Sequence, residues 1–147
     1  MGFSVSASTA VIFAGLFLAL GMFYPAVANS YERVQAADAN QADRALEQAN
    51  TDIQLDGTTI NSIPAGGSEV NVTLTNNGST SLTVSETDLL INGTYIQRSE
   101  LNTKVDGDTT TDLWLPGETL DITYDTSGAV NRVRVVTEHG VAVSEDV

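Results

Sequence analysis

From residue 10 to residue 28 the chain reads AVIFAGLFLALGMFYPAVA, nineteen positions without a charge. A run of about 20 apolar residues is what a helix needs to cross the hydrocarbon of a bilayer. A helix that is apolar all round could instead lie inside a soluble core, but only in a protein larger than this one. Ser4, Ser6, Ser8 and Thr9 precede the run, and each has a side chain able to cap a helix start. Residues 1–9 therefore predict an N-terminal cap, and residues 10–28 a transmembrane helix. Pro25, near the far end, predicts a bend. The pattern then changes. Residues 31–50 hold neither Gly nor Pro and are rich in Ala, Gln and Glu, all good helix formers. Tyr31, Val34, Ala42, Ala45, Leu46 and Ala49 make only a thin apolar stripe, so residues 29–50 predict a polar helical stalk continuing from the span.

Beyond Thr51 the period falls to two. Val70, Val72 and Leu74 alternate with Asn71, Thr73 and Thr75, and Leu120, Ile122 and Tyr124 alternate with Asp121, Thr123 and Asp125. Val133 and Val135 alternate with Arg132 and Arg134, and Val141 with Val143 forms a last pair. Shorter strands are predicted at 53–55, 59–63, 82–84, 89–91, 95–97 and 112–115. Asp56-Gly57, Asn77-Gly78, Asn92-Gly93, Pro116-Gly117 and His139-Gly140 fall between them and favour turns. Seven to nine short strands predict that residues 51–147 form an immunoglobulin-like antiparallel β-sandwich. The fold class is mainly β: a transmembrane helix, a helical stalk and a sandwich head.

Charge sharpens the division. All 19 Asp or Glu and all 6 Lys or Arg lie in residues 32–147, and none lies in residues 1–31. A net charge of −13 repels phosphate backbones, which argues against a nucleic-acid partner. Lysine occurs once, at Lys104, and Asp, Thr, Asn and Ser dominate the polar positions. Such a surface suits very high salt, where screening shortens to about 3 Å and the carboxylates no longer repel one another. An ordinary acidic extracellular domain is the alternative. Cleavage of a secretory signal would use Ala26-Val27-Ala28. The missing Lys or Arg in residues 1–9 argues instead for a retained anchor.

The absence of Cys removes disulfides, thiolate nucleophiles and thiolate metal sites. His139 is the sole imidazole and sits in a Glu-His-Gly turn, a poor setting for a general base. No glycine-rich phosphate loop, serine elbow or paired-histidine zinc helix occurs, so no enzyme and no cofactor are expected. Asp106, Asp108 and Asp112 are the best metal candidates, but Thr110 and Gly117 stand where a calcium loop needs ligands. A solvated acidic loop is the competing reading. Asn71, Asn77 and Asn92 each begin an Asn-x-Ser/Thr sequon and are glycosylation candidates, which places the head outside the cell. Trp114 lies on the opposite face from Leu113 and Leu115. It either covers a rim of the core or stands exposed as a partner anchor.

The order of these features carries a resemblance. The opening MGFSVSASTAVIFAGLFLALGMFYPAVANSYERV, the run IPAGGSEVNVTLTNNGSTSLTVSETDLLINGTYI and the short DLWLPGETLDITY together resemble the archaellum-associated FlaF family of haloarchaea. The order NNGSTSL, LLINGTYI, LPGETL is shared with archaellins and with the FlaG family, whereas MGFSVS and GMFY point to FlaF. The resemblance implies a single-pass protein of the cytoplasmic membrane, with its β-sandwich in the pseudoperiplasmic space. There it would act as a stator, gripping the S-layer protein and a FlaG-like archaellum protein, with a homo-oligomer also in view. Met1-Gly2-Phe3 lacks the basic residue that precedes the processing site of archaellins, which argues against a major filament subunit. A minor archaellin or pilin-like subunit and a secreted adhesin remain as alternatives.

Overall fold

The computed structural model describes residues 3–63 and 67–147, with side chains from Ala7 onward apart from Ile63. Met1 and Gly2 of the opening motif, and Pro64, Ala65 and Gly66 of the second run, lie outside the described residues. The chain divides into two units, residues 1–43 and residues 44–147. One helix, α1 (Phe3–Asn50), begins in the first and ends in the second.

In the first unit α1 is already helical at Phe3, so Ser4, Ser6, Ser8 and Thr9 lie within the helix and not ahead of it. Apart from half-buried Ala28, side chains from residue 7 to residue 43 are exposed, including Phe17, Met22 and Phe23. Pro25 lies inside α1, where it donates no hydrogen bond and crowds the carbonyl four residues back, that of Gly21. One turn on, the Ser30 hydroxyl donates to the Ala26 carbonyl at 2.9 Å. The helix therefore passes its proline without ending.

The second unit is built from β1 (Ile53–Ile63), β2 (Gly67–Asn76), β3 (Leu82–Thr83), β4 (Asp88–Ile91) and β5 (Thr94–Ile96). It continues with β6 (Leu101–Val105), β7 (Leu113–Trp114), β8 (Thr119–Thr126), β9 (Arg132–Val136) and β10 (Ala142–Asp146). Two four-stranded antiparallel sheets, ordered β1-β2-β8-β6 and β10-β9-β4-β5, contribute to one hydrophobic core, and β3 pairs with β7 separately. The alternation read from sequence sets the inner faces. Val72 lies opposite Ile122 and Leu74 opposite Leu120, while Leu89 faces Val135 and Ile91 faces Val133 across the second sheet. All eight are buried. The polar residues between them line the outer faces, as a half-buried sheet demands.

Two expectations are corrected, and the open choice for Trp114 is decided. Asp56-Gly57 does not turn the chain but makes a β-bulge, since the register steps from Leu55 opposite Leu74 to Gly57 opposite Thr73. The Asp56 carboxylate accepts the Thr75 hydroxyl from the neighbouring strand, so β1 runs through as one edge strand. Residues 101–105 form β6, which the sequence conceals because Thr103 occupies a core-side position. Trp114 is fully buried, while Leu113 and Leu115 are the exposed residues of that segment. Its indole N–H donates to the Glu118 carbonyl at 2.8 Å, so it is a core residue and not an anchor for a partner. Asn92-Gly93 does turn the β4–β5 hairpin, with φ of 52° and 82°.

Asn76 ties the edge of this core together. Fully buried, it donates from Nδ2 to the carbonyls of Thr80 and Trp114 and accepts the Gly78 N–H on Oδ1. Its backbone N–H donates to Glu118, and its carbonyl accepts Gly117. Replacing it by alanine removes three side-chain hydrogen bonds and leaves the Thr80 and Trp114 carbonyls without their amide donor, so Asn76→Ala should lower the unfolding free energy by about 2–3 kcal/mol. Urea unfolding measures this; a change under about 0.5 kcal/mol, the range of an ordinary surface substitution, contradicts it.

Candidate functional site

Among the described residues, His139 and the three candidate metal-binding aspartates form no common cluster, and the first features to consider are surfaces. The first is the exposed apolar run of α1. Among the described residues, α1 is the one helix long and apolar enough to cross a membrane. Its nineteen uncharged positions from Ala10 to Ala28 extend about 28 Å at 1.5 Å per residue, close to a hydrocarbon core of about 30 Å.

The second is the joint where the helix becomes sheet, which lies wholly within the second unit. Thr51 is buried, and its hydroxyl donates to the Glu47 carbonyl at 2.7 Å, closing the last turn. The loop after β2 then takes hold of the exit. The N–H groups of Asn77 and Gly78 both donate to the Asp52 carbonyl at 2.9 Å, and Ser79 N–H donates to Asn50 at 2.9 Å. A Cβ on Gly78 would stand 2.5 Å from the Asn50 oxygen and 2.6 Å from the Asp52 nitrogen. Only glycine allows that approach. His139 flanks the joint, with Nδ1 3.8 Å from Glu47 and Nε2 3.7 Å from Glu138. It lies between the β9–β10 turn and the end of the helix.

The three aspartates of the metal candidate go to separate tasks. Asp106 accepts Thr119 N–H at 3.0 Å. Asp108 accepts the N–H and hydroxyl of Thr110, both at 2.8 Å. Asp112 accepts the N–H and hydroxyl of Ser85, both at 2.7 Å. Hydrogen bonds from Thr110 hold the Asp108 carboxyl below its ordinary value, and the Ser85 hydroxyl does the same for Asp112. Among the described residues no group of three or more acidic or histidine side chains could hold a metal ion. Glu86 moves the other way. A hydrogen bond shared with Glu138, and repulsion from that neighbour, raise its pKa.

The sequon asparagines differ in what they already do. Asn92 donates to the Ala129 carbonyl and accepts the N–H groups of Asn131 and Arg132. Asn77 is exposed and donates to Gln54 at 2.8 Å. Asn71 stands half-buried in β2, and its sequon partner Thr73 donates to Asp121 at 2.8 Å.

A model of the family described as archaeal-type flagellin matches residues 2–146. The chain belongs to the archaeal-type flagellin family. No curated protein matches the chain. Archaeal-type flagellins are structural, not enzymatic, and an apolar N-terminal helix followed by a β-sandwich suits an archaellum-related protein with a single membrane-crossing segment. The resemblance therefore holds at the level of the superfamily.

Reasoning from sequence missed the joint, because Asn76-Asn77-Gly78 reads only as a turn. The doubled Asn before Gly was the available signal, one side chain facing the core and one facing water. Gly78→Ala should destabilise the second unit by about 1–3 kcal/mol, since rigid backbone and not a side-chain tip must yield. Thermal unfolding of Gly78→Ala beside Gly128→Ala, whose added Cβ meets only a side-chain oxygen at 3.7 Å, checks this; equal effects contradict it.

The pH dependence has a definite sign. The depressed pKa values of Asp108 and Asp112 contribute stability above the ordinary carboxylate value of about 4, and it is lost as pH falls through the lower folded values. Raised Glu86 acts oppositely, its share being present in acid and lost as pH rises through its folded value. Ser85→Ala should thus be less stable than the wild type at pH 6, with the gap closing below about pH 4. Denaturation at both pH values and constant salt measures the gap; one that widens in acid contradicts the assignment.

Proposed function

We propose that this protein is a stationary, FlaF-type component of the archaellum, tethered in the cytoplasmic membrane with its sandwich head outside. The observation that carries this reading is the fit between the apolar run and a bilayer. The apolar run from Ala10 to Ala28 matches the thickness of hydrocarbon, and charge begins four residues beyond it with Glu32 and Arg33. Asp38, Asp43, Arg44 and Glu47 follow, all exposed. A charge at the centre of a bilayer costs about 3 kcal/mol or more, so the stalk belongs in water. The MGFSVS and GMFY segments support FlaF over the rest of the superfamily.

Torque on a filament needs a counterpart held at two levels. Lipid supplies one tether, and the cell-surface lattice supplies the other. The S-layer protein and a FlaG-like protein are the partners this role requires, and self-association of the heads is compatible with it. In molar salt, steering by charge is screened, so those contacts draw on side-chain complementarity or on strand addition at a sheet edge. The Asn77 and Asn92 sequons fit an extracellular head.

The family match itself favours a second reading, a filament subunit whose apolar helix packs against its neighbours' helices. Sheared filaments and carbonate-washed membranes separate the two. The tether reading predicts the protein in washed membranes and not in filaments, with Phe17→Glu shifting it to the soluble fraction and deletion of the gene abolishing swimming. Recovery at filament stoichiometry, or normal swimming after deletion, overturns it.

A further inference from the structure

The outer face of the β1-β2-β8-β6 sheet carries a groove of about 600 Å³, lined by Glu69, Asn71, Leu101, Asn102, Lys104 and Thr123 among others. Pairing registers place Asn71, Thr123 and Asn102 in one row across β2, β8 and β6. Amide, hydroxyl and amide thus stand side by side at strand spacing, about 4.8 Å apart.

Asn71 is the anomaly in this row. Its Oδ1 is sealed from water and has no hydrogen-bond partner, and its carboxamide makes no hydrogen bond among the described residues. A polar group left so costs stability unless something outside the protein satisfies it. Its terminal torsion is soft, so the amide can turn Oδ1 outward to meet a donor in the groove.

The charges lining the groove decide what kind of donor. Glu69 and Lys104 offset each other, in a head that is otherwise strongly acidic. Neither an anion nor a metal cation gains much from such a lining. A ligand that donates and accepts at every position satisfies it best.

We propose that this groove is a binding site for a neutral carbohydrate, with Asn71 and Asn102 as its principal hydrogen-bonding residues. The sugar binds non-covalently. Although Asn71 opens a sequon, it lies mid-strand, and the Thr73 hydroxyl that the sequon needs is held by Asp121 at 2.8 Å. The site is independent of whether the protein is a stator or a filament subunit.

The test uses the full ¹⁵N-labelled chain in lipid nanodiscs, avoiding sugar detergents, titrated with glucose, galactose, mannose, N-acetylglucosamine and their trisaccharides to about 50 mM. At least one should shift the Asn71 and Asn102 side-chain amides and the Lys104 and Thr123 backbone amides, saturating in the millimolar range. Asn71→Ala and Asn102→Ala, on a half-buried and an exposed position, should each weaken binding about tenfold, the cost of one lost hydrogen-bonding side chain. Unchanged spectra with every sugar overturn the proposal. Shifts that persist in both variants, or an intact mass that places a covalent glycan on Asn71, overturn it equally.

Discussion

Three backbone hydrogen bonds, from Asn77, Gly78 and Ser79 to the carbonyls of Asn50 and Asp52, fasten the exit of α1 to the sheet domain. The last carbonyls of a helix have no partners within it and must be satisfied by something else. Here the Asn50 carbonyl is met by a loop of the sandwich, and those of Glu47 and Gln48 by Thr51, so the end of α1 becomes part of the sheet domain. Asn76 anchors that loop from below with a fully satisfied carboxamide, and the same residue touches the Trp114 carbonyl and the turn at Gly117 and Glu118. Buried polar networks are stabilising when every member is paired and costly when one is not. The joint and the tryptophan corner are therefore one piece of construction.

The acidic surface follows a related logic. A head with so many carboxylates could gather them into a metal site, yet its aspartates mostly bind backbone and hydroxyl donors close by. Asp112 holds the 3-10 turn at Val84–Glu86, Asp108 closes its own loop, and Asp56 braces the bulge in β1. Each ionised group is worth more as a local acceptor than as one of several repelling neighbours. Where two carboxyls do meet, at Glu86 and Glu138, the pair shares a hydrogen bond and one member holds its proton more tightly.

Much of this architecture was legible in the sequence, and the failures have physical causes. Val70, Val72, Leu74, Leu120 and Ile122 alternate so cleanly that only one face could be buried, and period-two patterning reports that directly. At residues 113–115 the same rule placed Trp114 opposite its two leucines but could not say which side was inside; the larger side chain, with a carbonyl for its N–H, took the core. At Asp56-Gly57 the local turn signal lost to strand pairing on both sides of it. β6 was hidden because a threonine can fill a core-side position at a sheet edge. Asp106, Asp108 and Asp112 accept from three different partners, because sequence proximity does not direct three side chains to one point. The apolar run of α1 was the plainest signal of all, nineteen uncharged positions in one helix with every charge of the chain beyond it.

The account stands on a helix lodged in lipid with an acidic head beyond the membrane. Because the chain contains no cysteine, a single reporter thiol can be placed at will. Ser99→Cys, on an exposed turn of the head, should react with a membrane-impermeant maleimide in intact cells. Labelling of Ser99→Cys only after lysis would put the head in the cytoplasm and contradict the account.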